Sequence, residues 1–285
     1  MLDGIVSGLV SGSAYAILAV CVVVLHRLVG VLNFGQAAIG AFGAFLCYVL
    51  IGGGSPIALA VLAGLGAAGA VAGGAGWVLA RWFGDSGPLI RSVVTVVLLI
   101  VLLTLGFRLY GDTPRVMPSL FPEFSFAVAG VRVSLTTLVA LVATFAIAVS
   151  LTALLKHTRV GIRLQAMSER PTSVQLLGIN TRALSIGVWA ITGALATFAL
   201  LLVAPTRNPT FESMSFLVVP ALAAGLLGAF SNVWIAALGG LALGALEGAG
   251  ARIAAVAEFR GAIPFVIIIV AVIWMRRAEV WDAAR

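Results

Sequence analysis

The sequence predicts an all-α, polytopic integral membrane protein, a helical bundle of about eight or nine transmembrane segments. Three observations carry that prediction. Hydrophobic residues fill 62% of the 285 positions and charged residues only 9%, against the ~25% charged of an ordinary soluble domain. The mean hydropathy of +1.18 comes from repeated apolar runs, each near the ~20 residues that cross a bilayer as a helix. The alternation in ~10-residue segments that marks a membrane β-barrel is missing.

Polar punctuation divides the chain into expected spans at 4–25, 34–51, 56–80, 89–109, 133–155, 183–204, 214–230, 233–250 and 262–275. The first run follows no basic leader and no cleavage site, so it is expected to remain as a span. Residues 214–250 are interrupted by little more than Ser231 and Asn232, which leaves room for two shorter or re-entrant pieces. Residues 110–132 contain three prolines and alternate apolar residues near their end. They are too polar to span and too short to form a domain, and are expected to cap the outer surface. Residues 1–285 are expected to form one transmembrane domain.

Lys and Arg placement sets the orientation. With the N-terminus outside, eleven of the 17 basic residues fall inside, among them Arg27, Arg81, Lys156, Arg170 and the Arg276–Arg277 pair. The opposite orientation would export the densest basic loop, against the positive-inside tendency. The expected protein is thus multi-pass, with its N-terminus outside and its C-terminus in the cytoplasm. The net charge of +7 is scattered between spans and forms no basic face. It anchors loops beside membrane lipid, and nucleic acid is not an expected partner.

Small residues recur at helix-packing spacing. Gly4, Gly8 and Gly12 form one set, Gly64, Ala68, Ala72 and Gly76 a second, and Gly240, Gly244 and Gly248 a third. Each lies along one helix face and lets a neighbouring backbone come close.

The chemistry that is missing is as informative. Lys156 is the single lysine and stands in ALLKHTR, so no phosphate-cradling Walker loop exists. His26 and His157 are far apart and each is close to an arginine at an inner span end, as interfacial anchors. Cys21 and Cys47 lie in apolar runs and read as small hydrophobes. No catalytic residue, metal ligand set or bound cofactor is expected. Ionisable groups within spans carry functional weight, and Glu247 in LGALEGAG is one, near the outer end of its span. Asn33-Phe34-Gly35-Gln36 opens the second span with two amides beside a glycine. Either Asn33 caps that helix, or Asn33, Phe34 and Gln36 line a path with Glu247.

The longest polar stretch, RVGIRLQAMSERPTSVQLLGINTR from Arg159 to Arg182, is expected to hold a short helix in a cytoplasmic loop at about 156–182. Pro171 suits its first position and Gly178 the residue just past its end. Val174 and Leu177 are three apart and expected to share a face, with Leu176 flanking. Two turns are not stable alone in water, so the helix needs a surface, either the bilayer or a groove in a partner.

That stretch resembles the cytoplasmic loop of permease subunits of bacterial ABC importers, above all those of the branched-chain amino acid (Liv-type) family. Thr158, Gly161, Ala166, Glu169, Leu177, Gly178, Ile179 and Asn180 stand where its motif places such residues, while Val174 replaces a small residue and Pro171 is atypical. Asn33-Phe34-Gly35-Gln36 is similar to the family's Asn-Phe-Ala-His/Gln-Gly region, with Gly35 in place of Ala and without the acidic residue that commonly follows. GLLGAFSNVWIAALGGLALGALEGAG is similar to its Gly-rich late region, including a Glu at Glu247.

The resemblance implies that the loop docks on a separate ATPase through Gly161, Arg163, Ala166, Glu169, Pro171, Val174, Leu177 and Gly178. It implies two ATPase subunits that use the ATP, a second and usually unlike permease subunit, and an extracytoplasmic solute-binding protein. The expected cargo is a branched-chain or related amino acid, with urea or short amides as alternatives within the family. An ion-gradient-driven secondary transporter and a transport-inactive membrane scaffold are the competing classes.

Overall fold

The computed structural model describes residues 2–283 apart from 123, 129–130, 254–256 and 258. Helix α1 (Leu2–Val29) is apolar all round from Ala16 to Leu25, and every residue from Ala14 to Leu25 is buried. A helix apolar all round belongs in an interior. The chain turns at Gly30 and continues into α2 (Gln36–Gly52) and α3 (Ile57–Trp82). Helix α4 (Pro88–Tyr110) starts on a proline, whose fixed φ suits that position, and stops at Gly111 with φ of 73°. A two-stranded hairpin follows, β1 (Ser125–Val128) and β2 (Val131–Ser134). The Ser134 hydroxyl accepts from the Thr137 N–H and starts α5 (Leu135–His157).

Two short helices, α6 (Arg159–Glu169) and α7 (Pro171–Leu176), connect α5 to α8 (Thr181–Val203). The remainder comprises α9 (Phe211–Ser215), α10 (Val218–Leu227), α11 (Val233–Gly250) and α12 (Ile263–Ala283). We refer to the end of the bundle bearing α6 and α7 as the loop face, and to the other end as the far face.

Among the described residues six helices are long and apolar enough to cross a membrane: α1, α3, α4, α5, α8 with its 3-10 extension, and α11. Three shorter apolar segments, Gln36–Gly52, Phe211–Leu227 and Ile263–Ile273, occupy the other expected positions. The chain is an all-α membrane bundle, with one small hairpin added. Val93, Val97 and Ile100 of α4 point outward, as lipid-facing side chains do.

The expected span at 214–230 is broken into α9 and α10. Pro220 has no N–H to give to Phe216, which favours a break or kink in the preceding turn. Here Thr210 and Ser213 form a capping box that starts α9, and α10 begins two residues before the proline. The expected cap at 110–132 includes the hairpin, in which Ser125 pairs with Ser134 and Phe126 with Val133. Met117 is buried and the Arg115 N–H donates to the Pro209 carbonyl.

The first and third glycine sets, expected as two separate faces, meet each other. A methyl group on Gly4 would lie 2.5 Å from the Gly248 carbonyl oxygen, and one on Gly12 3.0 Å from that of Leu241. Gly8 faces Gly244, and Gly240 faces Ala16, just as closely. The second set packs on two partners. Gly64 lies against Gly43 of α2, while Ala68 and Ala72 flank Gly193 and Gly76 lies under Trp189, both on α8.

Gly8→Ala should cost about 1–3 kcal/mol of stability, because backbone and not a flexible side chain occupies the space. Gly66→Ala, which meets nothing within 4 Å, should be neutral or stabilising by up to ~1 kcal/mol. Thermal unfolding of the detergent-purified variants reads the contrast, and equal midpoints would refute the close contact.

Candidate functional site

At the loop face the turn from α5 into α6 rests on Thr158. Its hydroxyl donates to the Leu154 carbonyl (2.6 Å) and accepts from the Gly161 N–H (3.0 Å), ending one helix and capping the next. Gly161 lies against the carbonyl oxygens of Leu154 and Leu155, where any side chain would collide. The Gln165 amide donates to Leu155 (3.1 Å). Gly161, Leu164 and Met167 bury one side of α6, whereas Arg163, Glu169 and Arg170 are exposed and Ala166 is half-buried. This 11-residue helix is additional to the single short one expected from sequence. Its signal was the three-residue apolar spacing after Thr158.

Helix α7 begins at Pro171 as expected, and Gly178 just beyond it has φ of 76°. The expected shared face of Val174 and Leu177 is corrected. Val174 is 4% exposed and anchors the helix inward, while Leu176 and Leu177 are 85% and 77% exposed. The helix ends at Leu176, and the chain then turns into the left-handed conformation at Gly178, so helical three-residue spacing no longer applies. Asn180 closes the loop by accepting from the Ala183 N–H (3.0 Å) at the start of α8.

The Asn33–Gln36 stretch sits inside the bundle. Gln36 donates to the carbonyl of Thr192 (2.8 Å), the twelfth residue of α8. That is roughly 16 Å along the helix, about half the ~30 Å hydrocarbon thickness. Gly30 to Gly35 therefore carry non-helical backbone deep into the bundle. Side chains of α4 satisfy it, since the Leu32 N–H donates to Ser92 (3.3 Å) and the Phe34 N–H to Thr95 (3.0 Å). Non-helical chain is tolerated at that depth only when protein covers it.

Asn33 does not cap α2, whose cap position is Gly35. It accepts from the Gly35 N–H (3.0 Å) and donates to the Gln36 side-chain carbonyl (2.7 Å). Asn33 and Gln36 are both fully buried and Phe34 half-buried. Neither amide lines an open cavity in this conformation. Ser92 and Thr95 escaped sequence reasoning because hydroxyls near a span start look like ordinary helix termini.

Glu247 is at the far face and joins a network. The Tyr15 hydroxyl donates to its carboxylate (2.6 Å), and Arg207 lies 3.4 Å from both carboxylate oxygens. Arg207 also donates to Tyr15 (2.9 Å) and Ser11 (3.0 Å). Sequence reasoning did not single out Arg207. The four-residue spacing of Ser11 and Tyr15 in an otherwise apolar span was the available signal. Beside Arg207 lies a cavity of about 590 Å³ between α1, α5 and the α8–α9 turn. On the loop face a cavity of about 810 Å³ separates the end of α1 from α7.

The family model for the branched-chain amino acid transport system permease component matches residues 4–272. The chain belongs to this family. Among curated relatives it is similar to a high-affinity branched-chain amino acid transport system permease protein of Pseudomonas aeruginosa, BraD, with 27% identity over 88% of this chain and 87% of the relative. The corresponding permease proteins LivH of Salmonella typhimurium and Escherichia coli are each 25% identical over 94% of this chain and 92% of their own length. No solved structure matches the chain. A permease of this family is a multi-pass membrane protein, in keeping with the apolar helices.

Gln36→Leu should cost this permease about 1–3 kcal/mol, because it leaves the buried Asn33 amide without its acceptor. A lowered thermal midpoint in detergent is expected, and an unchanged midpoint would mean that the buried amides are not paired.

Proposed function

We propose that this chain is the permease subunit of an ABC importer and provides the path for branched-chain or related amino acids. The carrying observation is the loop between α5 and α8, with two adjacent exposed leucines and a rigid junction at each end. Two ATPase subunits bind and hydrolyse the ATP, for which this chain has no Walker loop. A second, non-identical permease subunit completes the pore, and an extracytoplasmic binding protein delivers the solute. The chain itself binds no cofactor. The N-terminus lies outside and the C-terminus in the cytoplasm, so the loop face is cytoplasmic. Basic residues Arg27, Arg81, Lys156, Arg163 and Arg182 concentrate there.

The contact on the ATPase is made by Leu176 and Leu177 with Gly161, Arg163, Ala166, Glu169, Pro171 and Gly178 as its frame, and Val174 pins it from within. Thr158 ties the frame to α5 and Asn180 ties it to α8. Both spans pack on α1. A displacement of the loop by ATPase closure is therefore delivered to the centre of the bundle. ATP can drive the solute across only if the ATPases bind the two permease conformations with different affinities. Asn33, Phe34 and Gln36 reach the path in the other conformation, and Glu247 stands at its outer mouth.

Leu176→Asp with Leu177→Asp should abolish copurification of the ATPases and ATP-driven uptake, while insertion and thermal stability stay near wild type. Full ATPase association in that double variant would overturn the docking assignment. Uptake by the permease alone from an ion gradient would overturn the importer reading.

A further inference from the structure

The far-face cavity has a mixed lining, in which hydroxyls such as those of Ser7, Ser11, Thr137 and Thr206 stand beside apolar side chains. Among the described residues Arg207 is the one charged side chain that lines it, and Val10, Val203, Met214 and Leu217 supply apolar surface. A volume of about 590 Å³ lies within the ~300–1,000 Å³ of small-molecule sites. The guanidinium is held on one edge only. Its Nε and Nη2 atoms bond Ser11, Tyr15 and Glu247, and Nη1 has no partner among the described residues. The hold of Glu247 is long, 3.4 Å against the ~2.7–2.9 Å of a strong charge-assisted bond. By contrast Tyr15 grips the same carboxylate at 2.6 Å. A buried tyrosine thus positions a carboxylate that only loosely occupies the arginine.

We propose that Arg207 receives the carboxylate of a small aliphatic amino acid in this cavity, with Glu247 as the resident carboxylate that yields it. The guanidinium fork suits a planar carboxylate, and the aliphatic side chain rests on Val10, Val203, Met214 and Leu217. Glu247 and Tyr15 are positioning residues. They aim Arg207 when the site is empty and keep its charge compensated. This inference rests on the permease reading and extends it to the outer mouth of the path.

The test measures binding of radiolabelled L-leucine to the purified, assembled transporter without the binding protein. ATP-driven, binding-protein-dependent leucine uptake is measured on the same preparation. Saturable leucine binding is expected, with L-leucinamide, which lacks the carboxylate, competing at least about tenfold less well. Arg207→Gln should weaken binding by at least about tenfold, and Arg207→Lys, which keeps the charge but loses the fork, by less. Glu247→Gln removes the competitor and should tighten binding severalfold, whereas a purely structural ion pair would leave binding unchanged or weaken it. Intact uptake with no saturable leucine binding, or equal competition by leucinamide, would overturn the site and leave the permease reading standing. Loss of both activities in the wild type would remove both.

Discussion

The backbone-to-backbone approach of α1 and α11 is the constraint on which the rest of the molecule depends. Inside a bilayer, burial of apolar surface does not drive helices together, because lipid tails are as apolar as leucine. Close packing must do so instead, and it requires that side chains be absent where the helices cross. Gly4, Gly8 and Gly12 opposite Gly240, Gly244 and Gly248 meet that requirement. The same seam sets the chemistry of the far face. Ser11 and Tyr15 stand on one helix and Glu247 on the other, so their separation is fixed by how near the two backbones run.

Polar groups within the bundle are handled in two ways. Deep inside, the Asn33–Gln36 amides pair with each other and with α8, and hydroxyls of α4 absorb the free backbone of Gly30–Gly35. Every such bond is protein to protein, which keeps these groups paired in this conformation. At the far face, Arg207 and Glu247 stay partly exposed beside a cavity and retain unused bonding capacity. Their contacts are open to exchange, unlike those of the buried amides.

The spans were legible because hydropathy reports directly on transfer into lipid. The packing faces were legible too, since four-residue spacing maps onto one side of a helix. Which face met which was not, because spacing along one helix carries no information about its partner. Pro171 and Gly178 marked the ends of α7 through their backbone preferences. The inward turn of Val174 was hidden, because it depends on where the loop packs. Asn33 looked like a cap because caps are recognised from neighbours in sequence, and its acceptor sits on the helix it precedes. Arg207 could not be singled out, since its meaning comes from residues about 40 and 190 positions away.

The α1–α11 seam also has a consequence for biogenesis. Gly8 leaves the ribosome roughly 240 residues before Gly244, and at ~5–20 residues per second that gap lasts on the order of 10–50 s. Throughout that interval the glycine face of α1 has no mate, although α5 and α8, which pack on its other sides, arrive earlier. The helix must wait in the membrane or at the insertion machinery, its glycine groove facing lipid or a chaperone. The α1–α11 seam is thus completed only when this late segment arrives, and a chain truncated before α11 would leave the groove open.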